Sequence, residues 1–235
     1  MGCFAIKREG GLPDNIKLLK KGITLYNRKK EAEAEALFLN VIDSDPLNPE
    51  ANYYLGLIYS KSQQYVSAEK NLKVVVDSEV NFLYTQQSRM ILGYIYFKLK
   101  KYDLAELQFL KVKDTNLNII QVYAALSAVY HYMKDKQKAI YYAERAYNID
   151  QLNLNAKNTY GYLLCDYELD INRGIALLRE VVRIKPDNPA YLDSLGWAYY
   201  KKGDKKGALA CIRKSLELSK ENSEVLDHLG VLTNG

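Results

Sequence analysis

Six glycines set the strongest constraint on this chain. Gly22, Gly56, Gly93, Gly161, Gly196 and Gly230 stand 34, 37, 68, 35 and 34 residues apart, so one unit recurs along the sequence. Ser127 fills the glycine's place inside the longest gap, 34 residues after Gly93. A period of this length excludes one globular core, because each unit is a supersecondary element that buries its apolar face only by stacking on its neighbours. With the glycine at position 8, the copies run 15–48, 49–82, 86–119, 120–153, 154–188 and 189–222. A partial seventh copy, 223–235, supplies one capping helix, and residues 1–14 form an N-terminal extension that is either disordered or a cap.

Other columns carry the helix period. Position 20 reads Ala34, Ala68, Ala105, Ala139, Gly174 and Ala208, all small. Position 11 reads Leu25, Tyr59, Tyr96, Tyr130, Leu164 and Tyr199, and position 24 reads Phe38, Leu72, Phe109, Ala143, Leu178 and Ile212. Positions 4, 7, 8 and 11 share one face of a first helix, and positions 20, 24 and 27 share one face of a second. Only 5 prolines interrupt the 235 residues, which suits an all-α chain. A small residue at position 8 opposite a small residue at position 20 lets two antiparallel helices approach closely. The large residues around them each contribute roughly 1.5–3 kcal/mol when fully buried. The architecture implied is an α-solenoid of antiparallel helix hairpins.

These columns resemble those of the tetratricopeptide repeat (TPR). Segments such as NPEANYYLGLIYSKSQQYVSAEKNLKVVV and NPAYLDSLGWAYYKKGDKKGALACIRKSL carry the likeness, which covers residues 15–235. Position 32, usually proline in that family, is Pro46 and Pro186 but Val80, Leu117, Gln151 and Lys220 elsewhere. Three extra residues, Leu83 to Thr85, separate the second and third copies, and one more lies between Cys165 and Arg173.

The resemblance implies a right-handed superhelix whose first helices line a concave groove, with positions 2, 5, 9, 12 and 13 turned toward a ligand. Carried over residue by residue, that rule selects Tyr53 and Lys61, then Tyr94, Phe97 and Lys98, then His131 and Tyr132. It continues with Asn158 and Tyr162, and ends with Asp193, Trp197 and Tyr200. Trp197, the lone tryptophan, stands at position 9 rather than at the family's usual position 4, and large amphipathic aromatics dominate binding hot spots. The family's clamp for acidic chaperone tails needs Lys, Asn and Arg at fixed first-helix positions, and no three consecutive copies supply them.

The function implied is a non-catalytic scaffold that binds a peptide segment or helix of a partner protein in the groove. RNA binding by a related helical-hairpin array is the alternative, supported by the basic charge and the aromatics. Thirty-three Lys and Arg against 28 Asp and Glu give a net charge of +5, but along the sequence the cations form no continuous stripe, which argues against nucleic acid. Cys3, Cys165 and Cys211 are too few and too far apart for a disulfide framework or a zinc site, which fits a reducing compartment. No P-loop, GxGxxG or HExxH motif occurs, so no enzyme activity, cofactor or metal is expected. The longest apolar run, Met90 to Phe97, is far below the roughly 20 residues of a membrane-spanning helix. With Ile6 where a myristoylation site wants Ser or Thr, the expected location is cytoplasmic. The apolar content of 223–235 leaves self-association through the last helix open.

Overall fold

The computed structural model describes residues 14–117, 119–219 and 223–234, and every regular element among them is an α-helix. Of the N-terminal extension expected over 1–14, all but Asp14 lies outside the described residues. The chain divides into two compact units, one reaching to Gln108 and the other starting at Phe109.

In the first unit α1 (Asp14–Asn27) pairs with α2 (Glu31–Ser44), and α3 (Pro49–Lys61) pairs with α4 (Tyr65–Ser78). α5 (Phe82–Lys98) stacks on both helices of that second pair. The division falls within α6 (Tyr102–Lys113). In the second unit α7 (Ile119–Tyr132) pairs with α8 (Lys136–Ile149), and α9 (Leu154–Asp166) with α10 (Ile171–Ile184). α11 (Pro189–Lys201) pairs with α12 (Lys205–Leu218), and α13 (Ser223–Asn234) covers the last pair. Connections of a few residues inside each pair enforce antiparallel packing.

The ends of these helices are written in short-range chemistry. Asn48, Asn81, Asn153 and Asn188 cap first helices, each side chain accepting the backbone N–H three residues on at 3.0–3.2 Å. Pro49 and Pro189 follow two of these caps, where a missing N–H does no harm. Inside each pair, position 15 turns left-handed: Lys29 (φ 61°), Gln63 (60°), Lys100 (58°), Lys134 (65°), Glu168 (57°) and Gly203 (85°). The next residue's N–H then reaches back to the position-11 carbonyl, as in Gln64 to Tyr59 and Lys101 to Tyr96, both at 2.8 Å. This closure satisfies carbonyls that the helix end would otherwise orphan.

Both length irregularities have definite places. The residue that lengthens the fifth copy sits in the turn after Glu168: Leu169 is exposed, and Asp170 becomes the cap of α10, accepting from the Arg173 N–H at 2.9 Å. Leu83 to Thr85 form no loop. α5 is 17 residues long where the other first helices, α1, α3, α7, α9 and α11, have 13 or 14, so the insertion adds about one helical turn.

The pair crossings refine the expectation about small residues. A Cβ on Gly22 would lie 2.7 Å from the Phe38 ring, on Gly56 2.5 Å from Leu72, and on Gly196 2.6 Å from Ile212. The glycine at position 8 thus makes room chiefly for the large side chain at position 24. Only in the fifth copy do two backbones meet so closely that both partners are glycine. There a Cβ on Gly174 would lie 2.6 Å from the Gly161 carbonyl oxygen and 2.3 Å from Cys165 Sγ. Phe38, Leu72, Phe109, Leu178 and Ile212 are accordingly almost completely buried.

Candidate functional site

First helices touch one another within each unit, α1 to α3 and α3 to α5 in the first, α7 to α9, α9 to α11 and α11 to α13 in the second. Their side chains join across these contacts into ladders.

In the first unit the Tyr53 hydroxyl donates to Gln87 Oε1 at 2.6 Å, and the Tyr84 hydroxyl donates to Glu50 Oε1 at 2.9 Å. The Tyr53 and Tyr84 rings stack with centroids 4.4 Å apart, while Tyr54 meets both edge-on. Only 8% of Tyr53 remains exposed, and burial pushes its phenol up to about 12. Tyr84 belongs to the turn that the insertion adds to α5, so the extra residues bring a ring onto Tyr53. Lys61 pairs with Glu31, and this ion pair lies close enough to Tyr26 to influence its phenol. Tyr94 is 46% exposed, Lys98 is exposed, and Phe97 is half-buried with its ring 5.7 Å from Tyr102.

In the second unit His131 Nδ1 lies 2.8 Å from the Tyr167 hydroxyl, and the imidazole is flanked by the rings of Tyr132, Tyr162 and Tyr167. Burial pulls the His131 pKa below its ordinary value, against the opposing field of Asp166. Tyr132 is 41% exposed and Tyr162 half-buried. Asn158 Nδ2 donates to Ser194 Oγ at 3.0 Å, while its Oδ1 is buried without a hydrogen-bond partner. The Tyr191 hydroxyl donates to Asn155 Oδ1 at 2.6 Å.

Trp197 is the hub of the last contacts. Its Nε1–H donates to Asp166 Oδ1 at 2.8 Å, and His228 of α13 stacks on its ring at a centroid distance of 4.3 Å. Tyr200 leans against it at 5.1 Å, and Lys201, paired with Glu168, lies over the ring. Asp193, almost buried, accepts from His228 Nδ1 at 2.9 and 3.0 Å through its two oxygens. The structure therefore joins Trp197, Asp193 and Tyr200 to α13 and spends much of the indole on contacts within the chain.

Tyr54, Tyr84, Tyr167 and His228 take part in these ladders without occupying the expected groove columns. Tyr84 lies in an insertion for which a 34-residue register has no column, and Tyr167 stands at position 14, in the turn just past the last groove column. Cys165 does share a column with His131, but its Sγ is buried and approaches the Ile171 carbonyl at 3.6 Å. Burial pushes that thiol up to about 11, so it stays protonated and weakly nucleophilic near neutrality. Among the described residues no group of three or more His, Cys, Asp and Glu is arranged to hold a metal ion, and no helix is long and apolar enough to cross a membrane. What the surface can do chemically is stack and hydrogen-bond.

Comparison with known proteins agrees with this geometry. Family models of the tetratricopeptide repeat match residues 37–70, 86–118 and 189–222. A TPR repeat-containing protein of Pseudomonas aeruginosa is 35% identical over 78 residues, which are 33% of this chain and 13% of that protein's length. Among solved structures, a tetratricopeptide repeat protein from Parabacteroides merdae aligns over 97% of this chain and 88% of its own, with 14% identity and a TM-score of 0.68. Pseudomonas aeruginosa pilF aligns over 92% and 96%, with 15% identity and a TM-score of 0.69. YrrB, described as a TPR protein with an unusual peptide-binding site, aligns over 81% and 96%, with 16% identity and a TM-score of 0.56. With its helix pairs, its recurring columns and three separate family matches, this chain belongs to the tetratricopeptide repeat family.

Proposed function

We propose that this protein is a non-catalytic scaffold that binds a peptide segment or helix of a partner protein along its first-helix surface. The observation that carries the reading is the cross-helix ladder itself. Tyr53, Asn158, Asp193 and Trp197 are each held by a hydrogen bond to the neighbouring first helix, so the surface is ordered before any ligand arrives. An ordered surface loses little side-chain entropy on binding. Among the expected groove residues, Tyr94 and Tyr132 remain more than 40% exposed and offer ring surface to a ligand. YrrB, similar in fold, is a peptide binder by its description, which supports the same use here.

The test is selection from a displayed random-peptide library, followed by affinity measurement on the wild type and a Tyr94→Ala, Tyr132→Ala double variant checked for folding by circular dichroism. Selected peptides that lose at least about tenfold in affinity for the variant support the groove reading. Peptides that bind both proteins equally overturn it. Recovery of partners only in ribonuclease-sensitive complexes moves RNA binding ahead.

A further inference from the structure

Cations dispersed along the sequence are brought together by the first unit. The turn between α1 and α2 carries Arg28, Lys29 and Lys30; α3 ends on Lys61; α5 ends on Lys98, followed by Lys100 and Lys101. All seven are exposed. α1, α3 and α5 are successive first helices, so their C-terminal turns stand side by side at one rim. Two contacts tie the turns together: Lys61 pairs with Glu31 at the start of α2, and the Tyr96 hydroxyl, near the end of α5, donates to Glu69 Oε1 of α4 at 3.0 Å.

The opposite rim has the other sign. Residues 43–50 and 77–81, which join α2 to α3 and α4 to α5, hold Asp43, Asp45, Glu50, Asp77 and Glu79 and no Lys or Arg. Such segregation orients a protein in a field, basic rim forward. Arg28, Lys29, Lys98 and Lys100 form no ion pair among the described residues, so their charge is available to a partner.

We infer that this rim docks the protein peripherally on an anionic lipid surface. Charge alone would suit any polyanion, and Leu99 favours lipid. It lies 39% exposed between Lys98 and Lys100, where an apolar side chain can enter the acyl boundary while its neighbours meet headgroups. Single-stranded nucleic acid instead needs open ring faces for stacking, and Tyr26, Tyr59, Tyr65 and Tyr102 around these turns are all half-buried. Lys98 lies one helical turn beyond Tyr94 on α5, but the inference does not rest on peptide binding.

The second repeat supplies the variant. Gln63 and Gln64 occupy the positions that Lys29 and Lys30 hold in the first repeat and Lys100 and Lys101 hold in the third, with the same left-handed turn. Lys29→Gln, Lys30→Gln, Lys100→Gln, Lys101→Gln therefore copies a turn the fold already uses. A control with the same loss of charge is Lys17→Gln, Lys20→Gln, Lys70→Gln, Lys73→Gln, all in the first unit and none in these turns. Full-length proteins are sedimented with vesicles containing about 30% phosphatidylglycerol in phosphatidylcholine, or phosphatidylcholine alone.

The expected result is binding to the anionic vesicles only, weakened by salt, weakened on the order of 100-fold in the rim variant and little changed in the control. Absence of binding to the anionic vesicles, equal binding to neutral ones, or equal losses in both variants would overturn the inference. So would a rim-dependent affinity for polyuridylic acid without vesicle binding.

Discussion

Ser127 Oγ donates to the carbonyl oxygen of Ala139 at 2.9 Å, at the crossing where the first, second, fifth and sixth copies place glycine opposite a large side chain. The fourth repeat has moved volume across the interface. Position 8 gains a hydroxymethyl group, and position 24 shrinks to Ala143, fully buried. The buried hydroxyl is satisfied by the backbone of the partner helix, so the larger residue leaves no orphaned polar atom.

Ala143→Leu should therefore overpack this crossing and destabilise the protein by about 1–3 kcal/mol. Ser127→Gly alone should also destabilise, by removing a buried hydrogen bond and opening a void. Together they rebuild the glycine and leucine pairing of Gly56 with Leu72, so the double variant should recover much of the loss. Urea denaturation of the four proteins checks the coupling; strictly additive losses would contradict exchange of volume between these two positions.

Much of the fold is legible because each helix pair repeats the same steric problem. The small residues at positions 8 and 20, the asparagine caps and the proline after two of them are local signals, and all find local roles in the structure. Handling of the insertion is not legible in the same way. Nothing in the sequence of Leu83 to Thr85 distinguishes a loop from an added turn of α5; stacking of Tyr84 on Tyr53 depends on the packed neighbour. Trp197 shows the limit for the site. Its column marks it as groove-facing, yet whether the indole meets a ligand or its own chain depends on His228, 31 residues away in α13. The basic rim was hidden for the same reason, since its cations are contiguous only across three turns.

Position 15 offers a stability test of opposite signs. Five non-glycine residues hold a left-handed conformation there that disfavours L side chains by roughly 1–2 kcal/mol, and Gly203 alone avoids that strain. Gln63→Gly should stabilise by about 0.5–1 kcal/mol, the gain being reduced by the greater freedom glycine gives the unfolded chain. Gly203→Ala should destabilise by about 1 kcal/mol. Denaturant midpoints measure both, and a loss of stability in Gln63→Gly would show that the side chain contributes more than the strain removes.

Trp197, the only tryptophan, reports on the attachment of α13. His228→Ala removes the stacked imidazole and leaves the nearly buried Asp193 carboxylate without that donor, a loss of about 1–3 kcal/mol. The indole should become more exposed, with red-shifted fluorescence, and backbone amides of α13 should exchange faster while those of α9 stay protected. Unchanged emission and exchange would mean that the apolar contacts of Val225 and Leu232 suffice to hold the helix.

His131 provides the pH test. Its folded-state pKa lies below the ordinary 6.5, chiefly because burial penalises the imidazolium and secondarily because of Lys134, so in acid the unfolded chain takes up the proton first. Above 6.5 both states are neutral at this residue and it adds no pH dependence. As pH falls from 6.5 toward the depressed folded value, stability is lost progressively; below that value the loss is complete and constant. His131→Gln keeps a polar side chain facing Tyr167 and removes the titration. Comparison of urea midpoints near pH 7.5 and 5.5 should therefore show a larger drop for the wild type than for His131→Gln. Equal drops would place the acid sensitivity in the carboxylates and require that His131 accept its proton in the folded groove as readily as in the unfolded chain.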